Sequence, residues 1–289
     1  MSPSHPLGKV IDYFYRIEFQ QRGSPHVHCL FWIENAPRID RKTDAEVAQF
    51  IDTYITCETP HETDRELHEV VTAVQKHSTR HSKTCRKKNT VCRFNLARPP
   101  STRTFITRPP SSDDVTTSSD DTHSRDIMKK IKTALSQTHE LFDSTYSFFE
   151  ALGIDQISFE NAYKTCSTKF NIVLKRNLAD IWINQYNTDL LRAWQGNMDI
   201  QYVTDPFAVV VYILSYITKA EQEMGLLLQR AQNEAMHGNT DAKQSFKKLG
   251  AVYLHNREVS AQEAVYRLTH MHLKMLSRHP IHPCRPQSY

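Results

Sequence analysis

YFYRIEFQQRGSPHVHCLFWI, residues 13–33, is the stretch whose reading decides the fold. Its halves, YFYRIEFQ (13–20) and HVHCLFWI (26–33), are rich in the aromatic and β-branched residues that suit a pleated surface. RGSP between them carries turn chemistry, so the pattern predicts an antiparallel hairpin. Alternate strand residues share a face, which sets His26 and His28 on one side and Val27 on the other. Two imidazoles so spaced can ligate one divalent ion, with Gln20 across the hairpin as a third, oxygen ligand. They can equally be polar residues on the wet face of an ordinary strand.

Outward from the hairpin, helices are predicted over 43–55 and 62–77, both with apolar positions three to four apart. Residues 98–125, rich in Pro, Ser and Thr, read as a flexible linker. Helical patterns resume at 126–152 and 158–169, with strands at NIVLKR (171–176) and DIQYV (199–203). A helix is expected from 206 to 236. Ser260 to Glu263 has capping-box spacing ahead of another over 261–275. The order of elements reads as α+β.

Bulk properties narrow the function classes. The chain has 289 residues, enough for one or two domains, and 39% of them are hydrophobic. Its longest apolar run, FAVVVYILSYI (207–217), falls well short of the ~18 residues a membrane span needs. MSPSHPLGK at the N-terminus lacks the order of a signal peptide. Six scattered cysteines do not resemble a disulfide framework and fit a reducing, intracellular compartment. No GxxxxGK[ST] motif occurs, so no P-loop ATPase is encoded. Net charge is only +4, but Lys76 to Arg108 holds ten Lys/Arg and no Asp/Glu. Such a block attracts polyphosphate, unless it is simply a solvated loop.

Two further constellations carry chemistry. Tyr212 and Tyr216, four apart in a helix, put both phenols on one face, and Lys219 follows on the same side. Set among Val209, Val210, Val211, Ile213, Leu214 and Ile217, spacing alone favours core packing for them. Within the basic block, His77, His81 and Cys85 would form one stripe if they lay on a helix. Cys92, from the following loop, would then close a tetrahedral zinc set of two nitrogens and two sulfurs. Unliganded residues are the other reading.

Taken in order, four stretches resemble the Helitron Rep domain, the helicase-like N-terminal region of rolling-circle transposases. They are DYFYRIEFQQRGSPHVHCLFWIENAP (12–37), HSTRHSKTCRKKNTVCRF (77–94), VVYILSYITKAEQEMGLLLQ (210–229) and GAVYLHNREVSAQEAVYRLTHMHL (250–273). The resemblance implies an HUH-type endonuclease over 7–225, with an antiparallel sheet, flanking helices and a small basic Cys/His insertion (76–108). A helical C-terminal extension would follow over 226–289. By position, His26, His28 and Gln20 would hold Mg²⁺ or Mn²⁺, Tyr212 and Tyr216 would be nucleophiles, and Lys219 would steady phosphate charge. Lys83, Arg86, Lys87, Lys88 and Arg93 would face single-stranded DNA. The resemblance further implies nuclear location and strand cutting and joining through a 5′-phosphotyrosine. A partial, truncated copy is expected: Leu96-Ala97 replaces the family's Phe-Pro, an upstream strand motif is missing, and 279–289 no longer resembles the family. The helicase half is missing or supplied in trans. A catalytically inactive, zinc-stabilised DNA-binding remnant is the alternative expectation.

Overall fold

The computed structural model describes residues 5–19, 24–80, 85–87, 91–92, 94, 96–108, 118–137, 141–205, 208–209, 212 and 261–278. The chain is α+β and divides into two compact units, one of 1–8 with 35–204 and one of 9–34 with 205–289. The N-terminal hairpin thus shares its unit with the residues after 204.

In the second unit the predicted hairpin forms, as β1 (Val10–Phe19) and β2 (Pro25–Ile33), antiparallel, in one register from Asp12↔Trp32 to Phe19↔Pro25 and shifted by a bulge between Val10 and Asp12. A third strand, β7 (Lys274–Leu276), pairs with the other edge of β1, giving the order β2-β1-β7. This strand corrects the expected helix over 261–275, which is shorter. The helix here, α7 (Ala261–Leu268), stops because His270 takes a left-handed backbone (φ 57°) and Ile17 N–H then captures the Leu273 carbonyl. Edge pairing with β1 overrides helical periodicity. Tyr266 of α7 packs edge-on against Phe19, with ring centroids 5.5 Å apart. Ser277 and Arg278 fasten the end of β7 by hydrogen bonds to Asp12 of 3.0 and 2.7 Å.

The first unit is built around α1 (Asp44–Tyr54), α2 (Arg65–Val70), α3 (Ser118–Gln137), α4 (Thr145–Leu152), α5 (Gln156–Thr165) and α6 (Thr188–Trp194). Two small antiparallel pairs complete it: β3 (Arg86–Lys87) with β4 (Val91–Cys92), and β5 (Phe105–Thr107) with β6 (Asn171–Val173). Local chemistry sets the helix ends. Thr43 and Glu46 form a reciprocal capping box on α1, and Gly153 closes α4 at φ 67°, where a side chain would be strained.

The segment expected to be a flexible linker, 98–125, is ordered wherever it is described. Successive side chains of β5 point to opposite faces. Phe105 enters a core with Ile131, Phe148, Phe149 and Phe159, while Ile106 enters another with Val47 and Ile51. A strand covered on both faces has no freedom to act as a linker, and α3 already begins at Ser118. DIQYV (199–203) is irregular rather than a strand. Its Tyr202 hydroxyl instead donates to the Pro37 carbonyl. Buried Arg176 ties the turn after β6 by donating to the carbonyls of Asp180 (2.6 Å) and Ile183 (2.7 Å). Among the described residues no helix is long and apolar enough to cross a membrane.

Candidate functional site

The register of the hairpin assembles one chemically rich face in the second unit. Glu18 lies opposite His26 and Arg16 opposite His28, so all four share a face of the sheet. Lys274 of β7 lies opposite Arg16, extending the row to His28, Arg16 and Lys274 across three strands. The His28 Nε2 stands 3.0 Å from Glu18 Oε2, and these side chains are only 18% and 17% exposed. Tyr212, on helical backbone, sets its ring edge-on to His28, centroids 6.2 Å apart at 76°. Its side chain is half-exposed, not in the apolar core that spacing favoured.

The expected roles are thus partly gathered. His26, His28 and Tyr212 fall on one side of the sheet, while Gln20, Tyr216 and Lys219 lie outside the described residues. Glu18 was missed by sequence reasoning, and strand parity was the signal that could have found it. The hairpin register carries it directly opposite His26. Glu18 and His28 meet here, but among the described residues the ligand atoms of His26, His28 and Glu18 do not all fall within 4.8 Å of one another. Arg16 and Lys274 add positive charge on the same face, as a bound phosphodiester would require.

A second grouping lies in the first unit. His77, Cys85 and Cys92 form a set of three donors whose ligand atoms all fall within 4.8 Å of one another. The expected helical stripe through His77 and Cys85 is not how they meet. After α2 the chain makes a π-helical turn (Val71–Gln75) and leaves the helix at Lys76, which bridges to Ile183. His77 is extended, its N–H donating to the Trp182 carbonyl at 2.9 Å, and Cys85 opens the β3–β4 hairpin. Pairing with the 181–183 segment therefore replaces the last helical turn. Arg86 and Lys87 form β3; His81, Lys83, Lys88 and Arg93 lie outside the described residues.

Comparison with family models matches residues 3–31 to the Helitron helicase-like domain at the N-terminus, over the first strand and the start of the second. No curated protein and no solved structure matches the chain. The family match ends just past His28 and so includes both histidines and Glu18. Over that stretch the chain is similar to the Helitron helicase-like domain.

Proposed function

We propose that this chain is a metal-dependent single-stranded DNA endonuclease and strand transferase of the HUH type, acting in rolling-circle transposition in the nucleus. One observation carries the reading: a half-exposed tyrosine ring rests against His28 on the face that also bears His26 and Glu18. His26, His28 and Glu18 would hold Mg²⁺ or Mn²⁺, with Gln20 as a further oxygen donor. The ion, when bound, supplies charge stabilisation on the phosphate and orients it for in-line displacement.

The protein's own groups do the rest. The Tyr212 hydroxyl releases its proton to water and its oxygen bonds to phosphorus while the P–O3′ bond breaks. The 3′ oxygen takes a proton, leaving a free 3′-OH and a 5′-phosphotyrosine. A phenol of pKa ~10 is a poor nucleophile at neutral pH, so developing charge near it has to be met by cations. Arg16 and Lys274 occupy that row of the sheet. Tyr216, four residues after Tyr212 in the sequence, would take the second strand transfer, with Lys219 on the phosphate. The basic segment 76–108, including Lys83, Arg86, Lys87, Lys88 and Arg93, would hold single-stranded DNA by its backbone.

Incubation with Mn²⁺ and an end-labelled single-stranded oligonucleotide tests this. The expected result is an SDS-resistant protein–DNA adduct that falls roughly 10³-fold or more when Tyr212 and Tyr216 are both changed to Phe. Wild-type protein that never forms an adduct, or a double variant that forms it undiminished, would sink the proposal. The tighter gathering of donors in the first unit favours a second reading, an inactive transposon-derived DNA-binding protein. That reading predicts salt-steep binding without nicking, alike in wild type and in His26→Ala/His28→Ala.

A further inference from the structure

The structure assigns a structural zinc site to His77, Cys85 and Cys92, one that fastens the basic β3–β4 hairpin to the core of the first unit. Three separations define it. His77 Nε2 lies 3.1 Å from Cys85 Sγ and 3.8 Å from Cys92 Sγ, and the two sulfurs are 3.5 Å apart. A tetrahedral zinc with Zn–S near 2.3 Å and Zn–N near 2.0 Å sets its donor atoms about 3.5 to 3.8 Å apart. The triangle therefore has the size of one face of that tetrahedron and leaves a fourth position to a further donor or water.

The imidazole is prepared for this role. His77 Nδ1 is 2.7 Å from the Ser78 carbonyl, which can only accept, so Nδ1 carries the proton. Nε2 then presents its lone pair towards the two sulfurs, the tautomer a metal-bound histidine needs. Rotation of the ring is restrained by Trp182, stacked at 6.2 Å and 26°, and by Phe94, edge-on at 5.8 Å. The sulfurs are equally constrained. Cys85 and Cys92 are buried with Leu96, against Trp182, and are unbridged. Trp182 also packs on the main core of this unit.

The topology gives the site a purpose. Cys85 directly precedes β3 and Cys92 ends β4, so both chain ends of the hairpin meet at the cluster. Two residues per strand cannot hold such a hairpin by pairing alone. A metal bound to one residue from the 181–183 side of the core and to both hairpin ends holds it in place. The hairpin so held carries Arg86 and Lys87.

The test reads metal, not DNA cleavage, so its result stands apart from that of the proposed nuclease. Full-length protein purified under reducing conditions should contain one equivalent of zinc by mass spectrometry of the metal. Replacement by Co²⁺ should give the intense visible bands of a tetrahedral site with a thiolate-to-metal charge-transfer band. Cys85→Ser/Cys92→Ser should lose that equivalent, and His26→Ala/His28→Ala should keep it. No charge-transfer band in the wild type, or zinc lost with the strand histidines and kept without the cysteines, would overturn the assignment. So would a Cys85–Cys92 disulfide recovered from reduced protein. Because the cobalt spectrum is taken on wild type, a variant that fails to fold leaves the test intact.

Discussion

The two units hold their histidines in opposite ways. In the first, His77 is clamped between Trp182 and Phe94, its tautomer is fixed by Ser78, and two buried sulfurs face it. In the second, His26 is exposed on a strand and His28 contacts Glu18 beside the half-exposed Tyr212. Donors packed against a core serve structure; an open face with a carboxylate, cations and a phenol leaves room for a substrate. The difference teaches that donor count alone does not tell a stabilising metal site from a catalytic one. What surrounds the donors does.

This contrast can be broken by exchanging stability and activity readouts between the units. The largest expected effect is on the first unit's core: Phe159→Ala removes a fully buried ring packed at 5.4 and 5.7 Å against Phe149 and Phe105. Chemical denaturation should show a loss of about 3–5 kcal/mol. His28→Ala should do the reverse, leaving stability within about 1 kcal/mol, since a partly exposed pair contributes little, while adduct formation falls on the order of 10²-fold or more. If His28→Ala unfolds the protein instead, the second unit's face is structural and the contrast fails. Glu18→Ala sharpens it further, raising the Mn²⁺ concentration needed for half-maximal adduct by about 10- to 100-fold. An unchanged metal requirement would remove Glu18 from the ligand set.

The smallest effect lies at the α1 cap. The hydrogen bonds from Lys42 and Thr43 hold the Glu46 carboxyl down to about 2, against an ordinary 4.5. With the folded value depressed, this contribution is fully present above pH 4.5 and disappears as pH falls from there toward about 2. Glu46→Gln should therefore flatten the acid limb of the first unit's stability curve in that window and leave neutral pH nearly unaffected. Asp12, lowered chiefly by its hydrogen bond from Arg278, should show the same sign in the second unit, as loss of β7 amide protection at low pH.

Much of this was legible in the sequence because it is local. The hairpin followed from composition and parity, α1 from its periodicity and the Thr43–Glu46 spacing, and the His26/His28 face from the two-residue period. What escaped depends on partners far along the chain. FIT (105–107) lies between two Pro-rich stretches, and only the cores on its two faces show it to be a strand. LKML reads as the end of a helix until β1 offers an edge 260 residues away in sequence order. His77, Cys85 and Cys92 were picked out by residue type, yet the helix expected to join His77 and Cys85 gives way to pairing with 181–183. Glu18 was within reach of parity and was passed over for Gln20.

The central claim is tested most directly by locating the bond. Adduct formed with Mn²⁺ and single-stranded DNA, digested with nuclease and protease, should yield by mass spectrometry a peptide carrying a 5′-linked nucleotide on Tyr212. Nucleotide on no tyrosine, with cleaved DNA bearing a free 5′-phosphate, would contradict the account and assign the cut to water.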